Sequence, residues 1–298
     1  MRAQQWLRRR PRFVLVVVAA AGLVAAAVAY AATPAIQTIT PNSEKQITNV
    51  DVLRQQIKNY YGVPLATTGP NGTWRDPLNL DSNYADEARS VAKQGGDWLA
   101  ARSKLPSRAI VVDVDDTTLA TFNYELFSNW DFNPATNATF VNNEWFPAVP
   151  GMVDMVNAAK DEGYAIFFLT GRPQSQECPT LHNLTTGDCD GITPAPPDPP
   201  GFDAGYPVPT NASATEDGLF TKPPVGSYPA YLNTPEFCAD AIAANVSCPT
   251  SRYKSGVRAH LESLGWDIVG NFGDQFSDLV GGFADKTFKM PNPNYFLP

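Results

Sequence analysis

An α/β fold built on a doubly wound parallel sheet is predicted by three observations in this 298-residue chain. Short continuous apolar runs at 108–113, 164–170 and 266–271 have the pattern of strands covered on both faces. Segments with helical spacing alternate with them. Each run also ends in polar residues, as expected where an open parallel sheet presents its binding loops beyond the carboxyl edge. A hydrophobic fraction of 43% with 11% aromatics supplies enough apolar surface for a sizeable core.

In chain order, residues 1–12 carry five arginines and no acid, and residues 13–32 carry no charge. This is an export signal, or a membrane anchor if retained, since twenty apolar residues span ~30 Å as a helix. Ala29-Tyr30-Ala31 supplies a small-x-small site for cleavage after Ala31, leaving 32–298 as one catalytic domain in a secreted or extracytoplasmic protein. Losing residues 1–31 takes the formal net charge from −8 to −13, which argues against nucleic acid as a partner. Membrane contact is expected only through the N-terminal segment, and an oligomer is compatible with the sequence.

Helical spacing is found at 46–61 and 82–104, separated by a turn-rich stretch at 64–79. The strand Arg108–Asp113 follows, then a helix after Pro150, the strand Tyr164–Thr170 and a third helix from about Pro173. Thr250–Leu264 is an amphipathic helix with Thr250 or Ser251 as its expected cap, and Trp266–Asn271 is the next strand. Between these halves, residues 185–249 are proline-rich and aperiodic, so they are expected to be an insertion forming a cap or surface excursion. The four cysteines, Cys178, Cys189, Cys238 and Cys248, lack the short spacing of a zinc site. In an exported chain they suggest two disulfides stapling the insertion. Of three pairings, Cys178 with Cys189 and Cys238 with Cys248 closes the shortest loops.

The polar strand ends are Asp113-Val-Asp-Asp-Thr117, Thr170-Gly-Arg172 and Asn271-Phe-Gly-Asp274-Gln-Phe-Ser-Asp278, with Lys254 opening the helix before the last strand. Taken singly, each reads as an ordinary turn or cap. In this order they resemble the four motifs of the haloacid-dehalogenase-like phosphatases, a superfamily with a Rossmann-like fold. The resemblance is closer to its acid phosphatases of the vegetative-storage-protein type (class IIIB) and their bacterial relatives. It extends to Asn49-Val-Asp-Val, Asn59-Tyr-Tyr-Gly62, Phe122-Asn-Tyr124, Gly171-Arg-Pro-Gln-Ser-Gln176 and the ending Phe288–Pro298, and covers roughly 47–184 and 250–298.

The resemblance implies an acid phosphatase acting on small phosphate monoesters. Asp113 would be the nucleophile and Asp115 the general acid and base, with Thr170 and the Gly171 amide on phosphate oxygens and Lys254 neutralising charge. Mg²⁺ would be held by the Asp113 side chain, the Asp115 carbonyl and Asp274, with Asp278 as a further ligand or as its partner. Arg172 is a candidate for substrate contact or for a structural ion pair. Phe122 and Tyr124 are candidates for an aromatic lid over the leaving group, in a small cap, or for plain core. The chemistry itself calls for a cation. A carboxylate 4 Å from a phosphate dianion is opposed by roughly 8 kcal/mol at an effective dielectric of 20, which a divalent ion can cancel. The competing reading is a non-catalytic storage or surface protein that keeps the fold. Storage relatives commonly lack the nucleophile that Asp113 supplies here.

Overall fold

The computed structural model describes residues 41–63, 78–102, 107–185 and 201–297. The N-terminal apolar segment, Cys189 and the proline-rich residues 194–200 therefore lie outside the described residues. Among the described residues, no helix is long and apolar enough to cross a membrane.

Fourteen elements carry the argument. In chain order they are α1 (Val50–Tyr60), α2 (Asn83–Ala100), β1 (Arg108–Val112), α3 (Phe122–Ser128), α4 (Pro134–Asn142), α5 (Met152–Asp161) and β2 (Ala165–Pro173). They continue with α6 (Glu177–Leu184), β3 (Leu219–Lys222), α7 (Ala239–Ala243), α8 (Thr250–Ser263), β4 (Asp267–Gly273), α9 (Phe276–Leu279) and β5 (Thr287–Lys289). The strands form one sheet in the order β3-β2-β1-β4-β5, every pair parallel. The three strands read from the sequence are β1, β2 and β4.

Strand alternation divides the core between two faces. Ile110 and Val112 of β1 join Ala88, Ala92 and Leu99 of α2 and Val156 of α5 on one face. Ala109 and Val111 join Tyr253, Val257 and Leu261 of α8 on the other. A sheet sandwiched in this way leaves no solvent-facing position in β1, which explains its unbroken apolar run.

The termini of the helices follow local chemistry. Asn49 caps α1 by accepting from the Asp51 and Val52 amides, and Ser82 caps α2 by accepting from Ala85. The expected hydroxyl cap of α8 does not form: the N-cap position is Pro249, and no side chain caps this end.

The stretch 201–249 is more than a surface excursion. It contributes β3, which pairs with β2 and completes one edge of the sheet, because Leu219 and Thr221 are buried where Phe220 and Lys222 are half-exposed. Cys238 and Cys248 form the expected local disulfide. Cys178 has no disulfide partner among the described residues, its expected partner Cys189 lying beyond them.

Candidate active site

The chain runs outward from β1 through β2 to β3, then returns to place β4 on the other side of β1. In an open parallel sheet, this reversal opens a crevice at the carboxyl ends of the two flanking strands. Asp113 follows β1 and Asp274 follows β4, so both stand at that crevice. The Asp113 amide donates to the Phe272 carbonyl at 2.9 Å, carrying the β1–β4 pairing one residue past the strand and fixing the nucleophile candidate against the loop that bears Asp274.

Lys254, in the first turns of α8, donates to Asp113 and, at 2.7 Å, to Asp278. Its side chain and both carboxylates are almost wholly buried. One carboxylate oxygen from each of Asp113, Asp274 and Asp278 lies within 4.8 Å of the others. Gly273 makes this approach possible: a Cβ there would sit 2.4 Å from that of Asp278.

The electrostatics follow from burying three carboxylates around one ammonium. Burial, then Asp278, pushes the Asp113 carboxyl well above the usual carboxylate range, against the pull of Lys254. Asp274 is pushed up to about 8 by burial, then by Asp278 and Asp116. For Lys254, burial opposes the charge, but Asp113 and Asp278 outweigh it and hold the ammonium above its ordinary range. The cluster is short of positive charge.

A divalent cation with a preference for hard oxygen donors fits that deficit. Asp278 has both oxygens engaged, Oδ1 by Lys254 and Oδ2 by the Gln275 amide at 2.8 Å. Asp274 Oδ2 accepts from Gln275 and Asn292, both at 2.7 Å, while its Oδ1 meets only the Thr117 hydroxyl at 3.4 Å. Asp113 Oδ1 faces Lys254. Among the described residues, the cluster's carboxylate oxygens with no hydrogen-bond partner closer than 3.4 Å are thus Asp113 Oδ2 and Asp274 Oδ1, while Asp278 holds Lys254.

Asp115 does not join the cluster through its side chain. Its carboxylate takes three contacts from Arg172, two from Nε at 3.1 Å and one from Nη2 at 2.7 Å. Arg172 is buried, also donates to Thr180 at 3.0 Å, and lies over the Phe146 ring. Its observed contacts are thus those of the structural ion pair, with Nη1 on Thr180. Thr170 is fully buried, its hydroxyl accepting from the Arg172 amide at 3.0 Å, and Gly171 beside it is exposed.

Phe122 and Tyr124 take places in the core, the plainer of the two alternatives that the sequence leaves open for them. Phe122 stacks on Tyr61 with ring centroids 3.7 Å apart, and that ring in turn stacks on Tyr84. Tyr124 packs edge-on against Phe140, and its hydroxyl donates to the Asn133 carbonyl at 2.9 Å.

Three site residues were not singled out from the sequence: Asp116, Gln275 and Asn292. Asp116 adopts a left-handed backbone (φ 52°) that turns the loop after Asp113. Its carboxylate accepts from the Thr121 amide and hydroxyl, and burial raises it to about 7. Asn292 bridges Asp116 and Asp274 from the C-terminal tail. The available signal was the third acid within the four residues Asp113-Val-Asp-Asp116. His182 pairs with Glu144, while His260 bonds Glu216 and stacks on Tyr231, so neither reaches the cluster.

Relatives are found in plants. The chain is 27% identical over 219 residues to the Stem 28 kDa glycoprotein of Glycine max, covering 72% of this chain and 70% of that protein. It is 24% identical over 196 residues to Acid phosphatase 1 of Solanum lycopersicum, covering 63% and 58%. Among solved structures, the class C acid phosphatase from Bacillus anthracis aligns over 83% of this chain and 87% of that one, with a TM-score of 0.46 and 18% identity. The profile of HAD superfamily subfamily IIIB (acid phosphatase) matches residues 33–193 and 244–298, which include every motif residue of the buried cluster. The chain therefore belongs to subfamily IIIB of the HAD superfamily, the acid phosphatases, and is a phosphoric monoester hydrolase.

Proposed function

We propose that the protein is an exported, Mg²⁺-dependent acid phosphatase that hydrolyses small phosphate monoesters through an aspartyl phosphate on Asp113. The observation that carries this reading is the buried Lys254 bonded to both Asp113 and Asp278, beside Asp274, at the point where the sheet reverses.

Asp113 attacks phosphorus, and the bond to the leaving oxygen breaks as the aspartyl phosphate forms. Asp115, held by Arg172, gives its proton to that oxygen. The alcohol departs, Asp115 takes a proton from water, and the water oxygen attacks phosphorus to release phosphate and restore the Asp113 carboxylate. Lys254 balances charge on the nucleophile and the phosphoryl group throughout. The Thr170 hydroxyl and Gly171 amide orient phosphoryl oxygens. Asp113, Asp274 and the Asp115 carbonyl would hold Mg²⁺, which would supply the positive charge that lets a carboxylate approach a dianion.

Export is supported by the basic-then-apolar N-terminus, and the glycoprotein named among the relatives is consistent with it.

Purified protein is expected to hydrolyse p-nitrophenyl phosphate below neutral pH with Mg²⁺ and to stop with chelator. Asp113→Asn is expected to lose at least about 10³-fold in kcat while keeping a native circular-dichroism spectrum. Comparable activity in Asp113→Asn would overturn the nucleophile assignment. A folded wild-type protein that turns over no ester would leave the storage reading in its place.

A further inference from the structure

Residues 194–243 lie outside the family match. From that stretch, β3 brings Lys222 to the carboxyl edge of the sheet, in register with Pro173 at the end of β2. Lys222 therefore stands on the same rim as Thr170 and Gly171. Tyr253, adjacent to Lys254 on α8, donates its hydroxyl to the Thr221 carbonyl at 2.7 Å. This bond ties the strand that carries Lys222 to the helix that carries Lys254.

The two ammonium groups feel each other: burial, then Lys254, lowers the Lys222 pKa. Among the described residues, no acceptor bonds the Lys222 ammonium and no carboxylate offsets its charge. A half-buried cation with a like-charged neighbour and no counter-ion gains from any anion brought beside it.

Such a space exists. A cavity of about 520 Å³ opens there, lined by Gly171, Gln174, Ser175, Lys222, Val225 and Ser247. Its size falls in the range of small-molecule sites. Pro223 and Pro224 stiffen the backbone after Lys222, and the disulfide at Cys248 anchors the residue next to Ser247. The backbone is thus constrained at both ends of the wall that residues 222–247 contribute, and Gly171 belongs both to the cavity and to the proposed phosphoryl site.

We propose that this cavity is the leaving-group subsite, and that Lys222 selects phosphate monoesters whose leaving group bears a second anionic group, a phosphate or a carboxylate. The proposal rests on the phosphatase reading above, because the shared Gly171 is what joins cavity to chemistry. An acidic molecule repels such doubly charged esters at long range, so their recognition needs a local cation of this kind.

The test compares phenyl phosphate, 3-carboxyphenyl phosphate and 3-(phosphonomethyl)phenyl phosphate on the full-length protein with Mg²⁺. The readout is the kcat/KM of each anionic ester divided by that of phenyl phosphate, a ratio that cancels any general change in activity. Lys222→Met is expected to lower the ratio about tenfold for at least one anionic ester, and Lys222→Arg to keep it. The ester affected identifies whether carboxylate or phosphate is the preferred anion. Ratios unchanged in Lys222→Met would overturn the subsite and leave the phosphatase intact. So would an equal loss on all three esters, which would assign Lys222 to the phosphoryl group itself. No hydrolysis of any ester by wild type would overturn the phosphatase reading and the subsite with it.

Discussion

At the scale of single residues, Arg172 joins two motifs that the sequence presents separately. Its three contacts to Asp115 fix the direction of that carboxylate, and Thr180 and Phe146 fix Arg172 in turn. A proton donor must point at the leaving oxygen, and its value is greatest when the departing alkoxide is strongly basic. Arg172→Gln is therefore expected to lower kcat about tenfold or more for an alkyl phosphate and much less for p-nitrophenyl phosphate, whose leaving group departs without protonation. Equal losses on both esters would instead place Arg172 on the phosphoryl group. Asp113, Asp115, Lys254 and Asp274 were legible as candidates only together, through the resemblance that the four polar segments make in their order along the chain. Asn292 was not, since an asparagine in a proline-rich tail has no local pattern tying it to Asp274, 18 residues away.

Among the elements, α3 shows why the aromatic stretch after the first motif left lid and core both open. Phe122, Tyr124 and Leu126 all turn inward, and so does Glu125, leaving the helix buried on most of its surface. A short helix buried all round gives no amphipathic stripe, so neither periodicity nor composition distinguishes lid from core. Glu125 is only 7% exposed, and burial raises its carboxyl to about 7 from an ordinary 4.5. A carboxyl raised on folding contributes stability that is complete below about 4.5 and lost as pH rises through 7. Glu125→Gln, which removes the charge, should gain on the order of 2 kcal/mol over wild type at pH 8 relative to pH 4, read by urea denaturation. Parallel stability of the two proteins across that range would refute the assignment. The strand β3 was likewise hidden, because four residues inside a proline-rich segment carry too short a pattern to be separated from loop.

For the whole molecule, the sheet acts as a device for concentrating like charge. Holding Asp113, Asp274 and Asp278 together around one lysine sets part of the folding free energy against the repulsion of the cluster, which a divalent cation relieves. Saturating Mg²⁺ is expected to raise the Tm of the wild-type protein by several degrees. Asp274→Asn, which removes the one carboxylate of the three that Lys254 does not hold, should fold but lose most of that rise, and an undiminished shift would exclude Asp274 as a ligand. The sequence by itself determined the α/β class, three of the five strands among the described residues and the four polar segments that form the site, and it favoured the local Cys238–Cys248 pairing without deciding it. Each of these depends on contacts between residues near in the chain, or on a pattern of burial repeated every two or four residues. Only the tertiary structure decided that Arg172 belongs to Asp115, that Phe122 and Tyr124 are core, and that Lys222 comes from the insertion to the rim of the site. Those outcomes are set by which distant segments share a surface, and strand order and helix packing fix that only once the whole sheet has assembled.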